Sequence, residues 1–348
     1  MYMPPGTRLK LDPQDEYTHQ PEAAGNYNES MYFNAFDSAR GIGLWVRIGN
    51  RVNEGHAEMS CCVYLPDGRV GFMFGRPRIE HNREMAAAGM RFEVIEPFKR
   101  LRVSYEGELL IMDDPMAMAD PSSAFKRFPK KPAIIELNFE GVSPMHGGEI
   151  VNLDGSPWAL DPEQAVYRGH TEQNMAVEGH VTVDGQRHDF RGGTGYRDKS
   201  WGPRHWHSFS WYKWLPVTFS RDFGVLLSIK PKGGKALPVS GNVLRNGVYE
   251  PVIDGRIETD YDAQYVPRGL KAWVKTAQGE YEITGRVLTT VPLRHKLKNN
   301  SDLSRYTRIT ESISEYRCGD LRVLGMTEYC DVMSDGVPLS VSEEAAAA

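Results

Sequence analysis

Residues 194–214 hold most of this chain's chemistry-bearing side chains. They read Thr-Gly-Tyr-Arg-Asp-Lys-Ser-Trp-Gly-Pro-Arg-His-Trp-His-Ser-Phe-Ser-Trp-Tyr-Lys-Trp. Four of the seven tryptophans fall here, Trp201, Trp206, Trp211 and Trp214, with Asp198, Arg204, His205 and His207 between them. Aromatic walls with a few convergent polar groups are what a small-molecule pocket requires, and aromatic faces stabilise developing positive charge. Asp198 is the candidate proton donor, because an apolar surround raises a carboxyl pKa until the group carries its proton at neutral pH. A nearby arginine lowers the same pKa, and the sequence leaves that balance open. Tyr196 and Arg204 are close enough along the chain to orient or tune the acid, and Trp201, Trp206, Trp211, Tyr212, His205 and His207 are candidate pocket lining. A scaffold reading competes. In it the tryptophans are core and Asp198 pairs with Arg197 or Arg204 across a turn, Asp-x-x-Trp-Gly being good turn chemistry.

Other candidates lie elsewhere. His170 precedes Asp198 by 28 positions, a separation that adjacent β-strands can close; the alternative is a solvent-facing histidine. Two polar runs in the first half, residues 28–34 and 49–58, contain Glu29, His56 and Glu58, which could reach a site between domains or simply occupy loops. His205 and His207 share a strand face at period 2, a spacing able to ligate a metal, but a third ligand is missing, so no metal and no cofactor are expected. His146-Gly147-Gly148 lacks a supporting serine motif and reads as a turn.

The elements that must position these residues read as strands. The chain has 34 glycines and 22 prolines. Turn signals separate alternating runs at Ala57–Phe74 (turn 66–68), Gly179–Phe190 (turn 184–185), Val248–Thr259 (turn 254–255) and Leu270–Leu288 (turn 277–279). Residues 91–96 and 101–106 alternate apolar and polar side chains, as strands with one wet face do. Helical periodicity is weak; residues 82–90 form the best short helix candidate, and 113–128 a second helix or a loop. The Pro/Gly-rich stretch 143–162 reads as a linker, with a domain boundary near residue 160. The expected architecture is all-β: two tandem lipocalin-like antiparallel β-barrel or sandwich domains with few short helices. They span 1–160 and 161–342, and the Ala-rich 343–348 is a disordered tail.

Composition narrows the classes. The chain has 348 residues, enough for two domains without disulfide staples. Its formal charge is -5 with no basic stripe, which argues against nucleic-acid binding. No apolar run approaches the roughly 18–20 residues that span a bilayer. The N-terminal residues are polar and unlike a signal peptide, so an integral membrane location is not expected and a cytoplasmic one is. The four cysteines, Cys61, Cys62, Cys318 and Cys330, form no CxxC and read as reduced thiols, with one of the vicinal pair in the core and the other outward. No GxSxG elbow, dinucleotide fingerprint or Walker loop occurs.

The run from Gly195 to Arg204 resembles the core motif of the hydroxyneurosporene synthase/AttH-like superfamily, which includes carotenoid 1,2-hydratases and is related to lipocalin-like Diels-Alderases. Residues 32–37, 43–51 and 64–69 are similar to an uncharacterised bacterial branch of it. The resemblance implies two tandem lipocalin-like domains with a pocket near their junction, and cofactor-independent chemistry on carbon–carbon double bonds. It also implies proton donation through a Tyr-x-Asp, matched by Tyr196 and Asp198. The family's upstream His-x-Trp is only His170-Thr171-Glu172 here, which points away from a carotenoid substrate. The expectation is therefore an acid/base hydratase, isomerase or cyclase acting on a hydrophobic small molecule such as a terpenoid, steroid or aromatic alkene. Asp198, Tyr196, His170 and Arg204 would be catalytic. The competing expectation is a non-catalytic carrier of an apolar ligand; a homodimer is one option for its assembly.

Overall fold

The computed structural model describes residues 4–162, 165–205, 209–232, 235–236, 238–296 and 305–347. Strands dominate, in two large antiparallel sheets. The chain divides into two compact units. The first comprises Met1–Val63, Gly71–Ile111 and Lys130–Ser208; the second comprises Tyr64–Val70, Met112–Pro129 and Phe209–Ala348. The expected boundary lay near residue 160. The first sheet instead takes strands from both sides of that point, and the units part after Ser208. The supposed linker contains the strand His146–Asn152, which pairs with both Thr7–Lys10 and Gly169–Val183.

The first sheet closes on itself. The strands Tyr27–Asp37, Ile42–Arg51, His56–Tyr64, Val70–Gly75, Arg100–Met112, Lys130–Gly141, Gly169–Val183 and Gln186–Pro203 form an eight-membered ring, because Lys130–Gly141 pairs with both Arg100–Met112 and Gly169–Val183. Closure removes the exposed edges that an open sheet must protect.

One aromatic pair distinguishes the inside of this ring from the outside. Phe33 and Phe139 lie three strands apart, about 14 Å along a wall whose strands are about 4.8 Å apart. Their ring centroids are nevertheless 4.9 Å apart, so both side chains cross the lumen. Arg197 and Gln173 stand opposite Phe33 in the ladder and share its inward face. By the two-residue period Lys199, Trp201 and Glu29 also point in, while Tyr196, Asp198, Ser200, His170 and Glu172 point out.

The second sheet runs in the order 248–251, 240–245, 223–229, 211–218, 321–334, 306–318, 280–296, 267–275, 254–261. Its two end strands are joined at Val252-Ile253, where the Val252 N–H donates to the Gly241 carbonyl and the Ile253 N–H to that of Lys275. Its core includes Trp211, Leu215, Val243, Val274, Tyr316 and Tyr329.

Three of the four expected hairpins form. The exception is 254–255. The turn there is Asn246-Gly247, with φ of 49° and 78° and Arg245 paired to Val248, while Asp254-Gly255 begins a strand. Asn-Gly takes the two positive φ values of a tight hairpin as readily as Asp-Gly does. The helix candidate at 82–90 is also a hairpin, turning at Ala88-Gly89 between Met85–Ala87 and Met90–Glu96. Sheet pairing there overrides the helical preference of three alanines. Residues 113–128 form the short helices Pro115–Ala119 and Pro121–Arg127.

Of the stretch 343–348 expected to be a disordered tail, the described residues 343–347 belong to the helix Leu339–Ala347, and Glu343 accepts a 2.7 Å hydrogen bond from the Trp211 indole. All four cysteines are free, and Cys61 and Cys62 are both buried. No helix among the described residues is long and apolar enough to cross a membrane.

Candidate functional site

The motif 195–203 is strand rather than turn. Ladder pairing aligns His146, Glu172, Asp198, Tyr32 and Arg47 in one row across five strands. The adjacent row is Gly148, His170, Ser200, Ser30 and Gly49. Residues directly opposite in a ladder stand on the same face, close enough to interact.

A β-bulge brings these rows together. The hairpin turning at Asp184-Gly185 starts with Val183 opposite Gln186. Continued without interruption, that register would put Thr171 opposite Asp198 and turn His170 and Glu172 to the other face. The register instead shifts by one between Val177 and Gly179. The extra residue lies on the returning strand near Gly192, whose φ is +67°. The Arg191 and Gly192 N–H groups donate to Asp37 at 3.0 Å and to Glu178 at 2.7 Å. Past the bulge, Glu172 faces Asp198, with His170 two residues away on the same side.

His170 is the centre of the site. Its Nε2 is hydrogen-bonded to Asp198 Oδ2. Its Nδ1 lies 3.8 Å from Glu172 Oε2, beyond hydrogen-bond length. The Tyr167 ring stacks on the imidazole with centroids 4.8 Å apart. Burial disfavours the charged imidazole, but the Asp198 and Glu172 carboxylates outweigh it and raise the His170 pKa above its usual value. Burial, with the charge of His170 nearby, pushes His146 down to about 4. The two neighbouring histidines are thus shifted in opposite directions, the separation that acid and base roles require. Burial, followed by the two carboxylates, keeps the Tyr167 phenol protonated.

Cations flank the pair. Arg204 donates to Ser200 Oγ at 3.2 Å, and that hydroxyl lies 3.1 Å from Ser30 Oγ. Arg47 reaches Glu58 at 3.5 Å and lies over Gly49, where an added Cβ would meet its Nη2 at 2.6 Å. His170, Glu172 and Asp198 also offer ligand atoms within 4.8 Å of one another, a spacing compatible with a divalent ion. His170 and Asp198 are bonded to each other, however, and an ion between them would have to break that bond.

Of the residues chosen from sequence, the structure unites His170 with Asp198 and brings Arg204 beside them. Tyr196 shares the outward face one step along, opposite Asn34, and is buried. His56 lies on the next strand, 3.9 Å from Glu58, which it shares with Arg47.

Trp201 and Glu29 belong to the other face. Trp201 points inward and stacks on His19 at 4.4 Å, with Lys199 Nζ 4.6 Å from its ring. Glu29 is fully buried and accepts from Lys199 at 2.7 Å and from Asn82 at 2.6 Å. Neither can line a pocket with Asp198, because adjacent residues on a strand face opposite ways. Trp211 is packed in the second unit's core, and Tyr212 of the same unit donates to Glu328. His205 lies outside the strand, its backbone N–H bonded to Ala165. Trp206 and His207 lie outside the described residues. Tyr167, Glu172, His146 and Arg47 were missed. Only Glu172 carried a signal, two residues after His170 on a strand.

Fold and site together define a two-unit, lipocalin-like β-barrel protein with an imidazole–carboxylate group on the outer wall of its first barrel. The solved structures it is similar to share that architecture. A protein from Nitrosomonas europaea carrying the provisional name AttH (NE1406) matches with a TM-score of 0.60 at 11% identity, over 94% of this chain and 98% of that one. Kievitone hydratase from Nectria haematococca matches with a TM-score of 0.55 at 10% identity, over 94% of each chain. CghA with Sch210972 matches with a TM-score of 0.52 at 10% identity, over 96% of this chain and 100% of that one. The AttH-like resemblance read from residues 195–204 is thus borne out at the level of fold. No curated protein matches the sequence. The chain belongs to the family described as "Domain of unknown function (DUF7064)", whose model matches residues 12–333.

Proposed function

We propose that the outer-wall group is an acid/base active site acting on a carbon–carbon double bond of a hydrophobic small molecule, by hydration, isomerisation or cyclisation. The observation that carries this reading is the His170–Asp198 bond beside Glu172. Asp198 fixes the imidazole through Nε2, much as a carboxylate orients the histidine of a hydrolase triad. The Nδ1–H, which has no hydrogen-bond partner at 3.8 Å, is the group that delivers the proton to carbon. This shifts the role expected of Asp198 from donor to partner of the donor. In a hydration, water adds to the other carbon and its proton passes to neutral His146; exchange with solvent then returns both histidines to their starting states. Arg47 and Arg204 beside the pair suit negative charge developing on an oxygen conjugated to the double bond better than an isolated carbocation. Kievitone hydratase, which shares the fold, is a hydratase by name, which favours hydration.

The test incubates the purified protein with isoprenoid, steroid-enone and aromatic alkenes in D₂O and follows products by mass spectrometry. The expected result is one carbon-bound deuterium per turnover, lost in Asp198→Asn and His170→Gln. Wild-type turnover in both variants, folded as judged by circular dichroism, overturns the assignment. A ligand that is bound but never deuterated supports the carrier instead.

A further inference from the structure

A second group of titratable side chains lies in the second unit, unused by the chemistry above. Glu311 and Glu328 stand directly opposite each other on the paired strands Tyr306–Cys318 and Leu321–Ser334. Trp214 follows Glu328 in the same row, and Tyr212 pairs with Cys330 in the next. Trp211 and Tyr329 belong to this unit's core, so the alternating positions Tyr212, Trp214, Glu328 and Glu311 face the other way. The Tyr212 hydroxyl donates to Glu328 Oε1 at 2.5 Å, which identifies Glu328 as the acceptor. The Tyr64 hydroxyl donates to the Glu311 backbone carbonyl at 2.9 Å, fixing that strand at this point.

Glu311 is the unexplained member. Its side chain is 6% exposed, and its Oε2 is buried with no hydrogen-bond partner. Two carboxylates directly opposite each other, one of them buried, cannot both ionise cheaply. Burial, then the neighbouring Glu328 charge, drives the Glu311 pKa well above the usual carboxylate range. A buried polar atom without a partner calls for an explanation, and a neutral carboxyl group has a proton to donate.

We propose that Glu311, Glu328 and Tyr212 form a recognition site for a carbonyl or hydroxyl oxygen of an uncharged small molecule, with the Glu311 carboxyl group as the hydrogen-bond donor. Glu328, held by Tyr212, keeps Glu311 in its donor form. A carboxylic acid kept neutral by its surroundings is an effective donor to a ligand oxygen. A carboxylate or phosphate ligand would be repelled by Glu328. The proposal does not depend on the acid/base reading of the first unit.

The test uses the full chain and two uncharged ketones as probes, acetophenone and the larger benzophenone, each labelled with ¹³C at the carbonyl. Difference infrared spectroscopy at pH 7 should show the band of a protonated carboxylic acid in the wild type and not in Glu311→Gln. A bound ketone should show its labelled carbonyl band shifted to lower frequency, as on accepting a hydrogen bond. Glu311→Leu should abolish that shift and weaken binding roughly fivefold to tenfold, the effect of one neutral hydrogen bond. If the leucine variant does not fold, the acid band and the shifted carbonyl in the wild type decide. No acid band at pH 7, no saturable binding of either ketone, or an unshifted carbonyl in the bound state would each overturn the proposal.

Discussion

The two faces of the strand Gln186–Pro203 do opposite things with the same kinds of residue. Inward, the Arg197 guanidinium grips Glu16 with two parallel bonds of 2.5 and 2.6 Å, and Lys199 Nζ is surrounded by Glu29 at 2.7 Å and the carbonyls of Asp15 and Tyr17 at 2.9 and 3.0 Å. These four charges are matched and desolvated, an arrangement that fixes geometry. Outward, Asp198 and His170 are bonded but only half-buried, and Nδ1 of the imidazole has no partner at hydrogen-bond distance. The alternation Arg197, Asp198, Lys199 therefore separates scaffold from site one residue at a time. A dense cluster of charged and aromatic residues in sequence is not one site; on a strand it is two half-clusters on opposite faces.

The comparison can be broken in several ways. The largest effect is expected on the outer face: Asp198→Asn should lower kcat by about 10²–10⁴-fold, the usual contribution of positioned proton transfer. Its denaturant midpoint should correspond to a loss of no more than about 1.5 kcal/mol. Arg197→Met, one residue earlier, should do the reverse. It leaves Glu16 buried without its partner and should cost about 3–5 kcal/mol in urea unfolding, with kcat per folded molecule within a few-fold of wild type. Equal loss of kcat in both variants would show that the two faces are not separate.

The pH dependence separates them further. His170 has a raised pKa in the folded state, so its charged form and the stability it contributes are fully present below the unfolded value of about 6.5. Both are lost as pH rises through the folded value, and kcat should fall about tenfold per pH unit above it. On the inner face, burial raises the Glu29 pKa but Lys199 and His19 overcome it and hold it at about 2. The stability from Glu29 is therefore present above pH 4.5 and drains as pH falls from there toward 2. Acid unfolding monitored by circular dichroism should lose this limb in Glu29→Gln, while the alkaline fall in kcat stays.

The smallest change tests how the faces are assigned. Gly192→Ala has room for its methyl group but must keep φ at +67°, so about 1–2 kcal/mol of strain is expected in thermal unfolding. If the bulge sets the site, kcat should fall more than this strain explains, because Asp198 and His170 shift together. A stability loss with unchanged kcat would show that the long ladder, not Gly192, holds the register.

Much of this was legible. Asp184-Gly185 announces its hairpin, and once that turn is granted the return of the 170–172 segment to the level of Asp198 follows from chain geometry, though not the face on which His170 stands. Alternation at 91–96 and 101–106 announces strands for the same reason. Other features were hidden. The helix candidate at 82–90 failed because Met85 and Phe92 pair across a turn that local alanine content conceals. Trp201 looked like pocket wall from its aromatic neighbours, but its place is inside the barrel, where Gly169 leaves room for its indole ring. The 143–162 segment looked like a linker from its glycines, yet Gly147 and Gly148 let that strand approach the His170 and Lys10 carbonyls closely.

By itself the sequence determined the class of fold, three of its hairpin turns and the motif from Gly195 to Arg204, because turn chemistry and period-2 alternation are local properties. Only the tertiary structure decided which half of that motif meets His170. That choice depends on a single extra residue in the ladder, and a one-residue slip in a strand exchanges its two faces. Which partner each charged side chain of that strand meets was likewise decided by what the other strands place opposite it: Glu16 and Glu29 on the inside, and the imidazole of His170 on the outside.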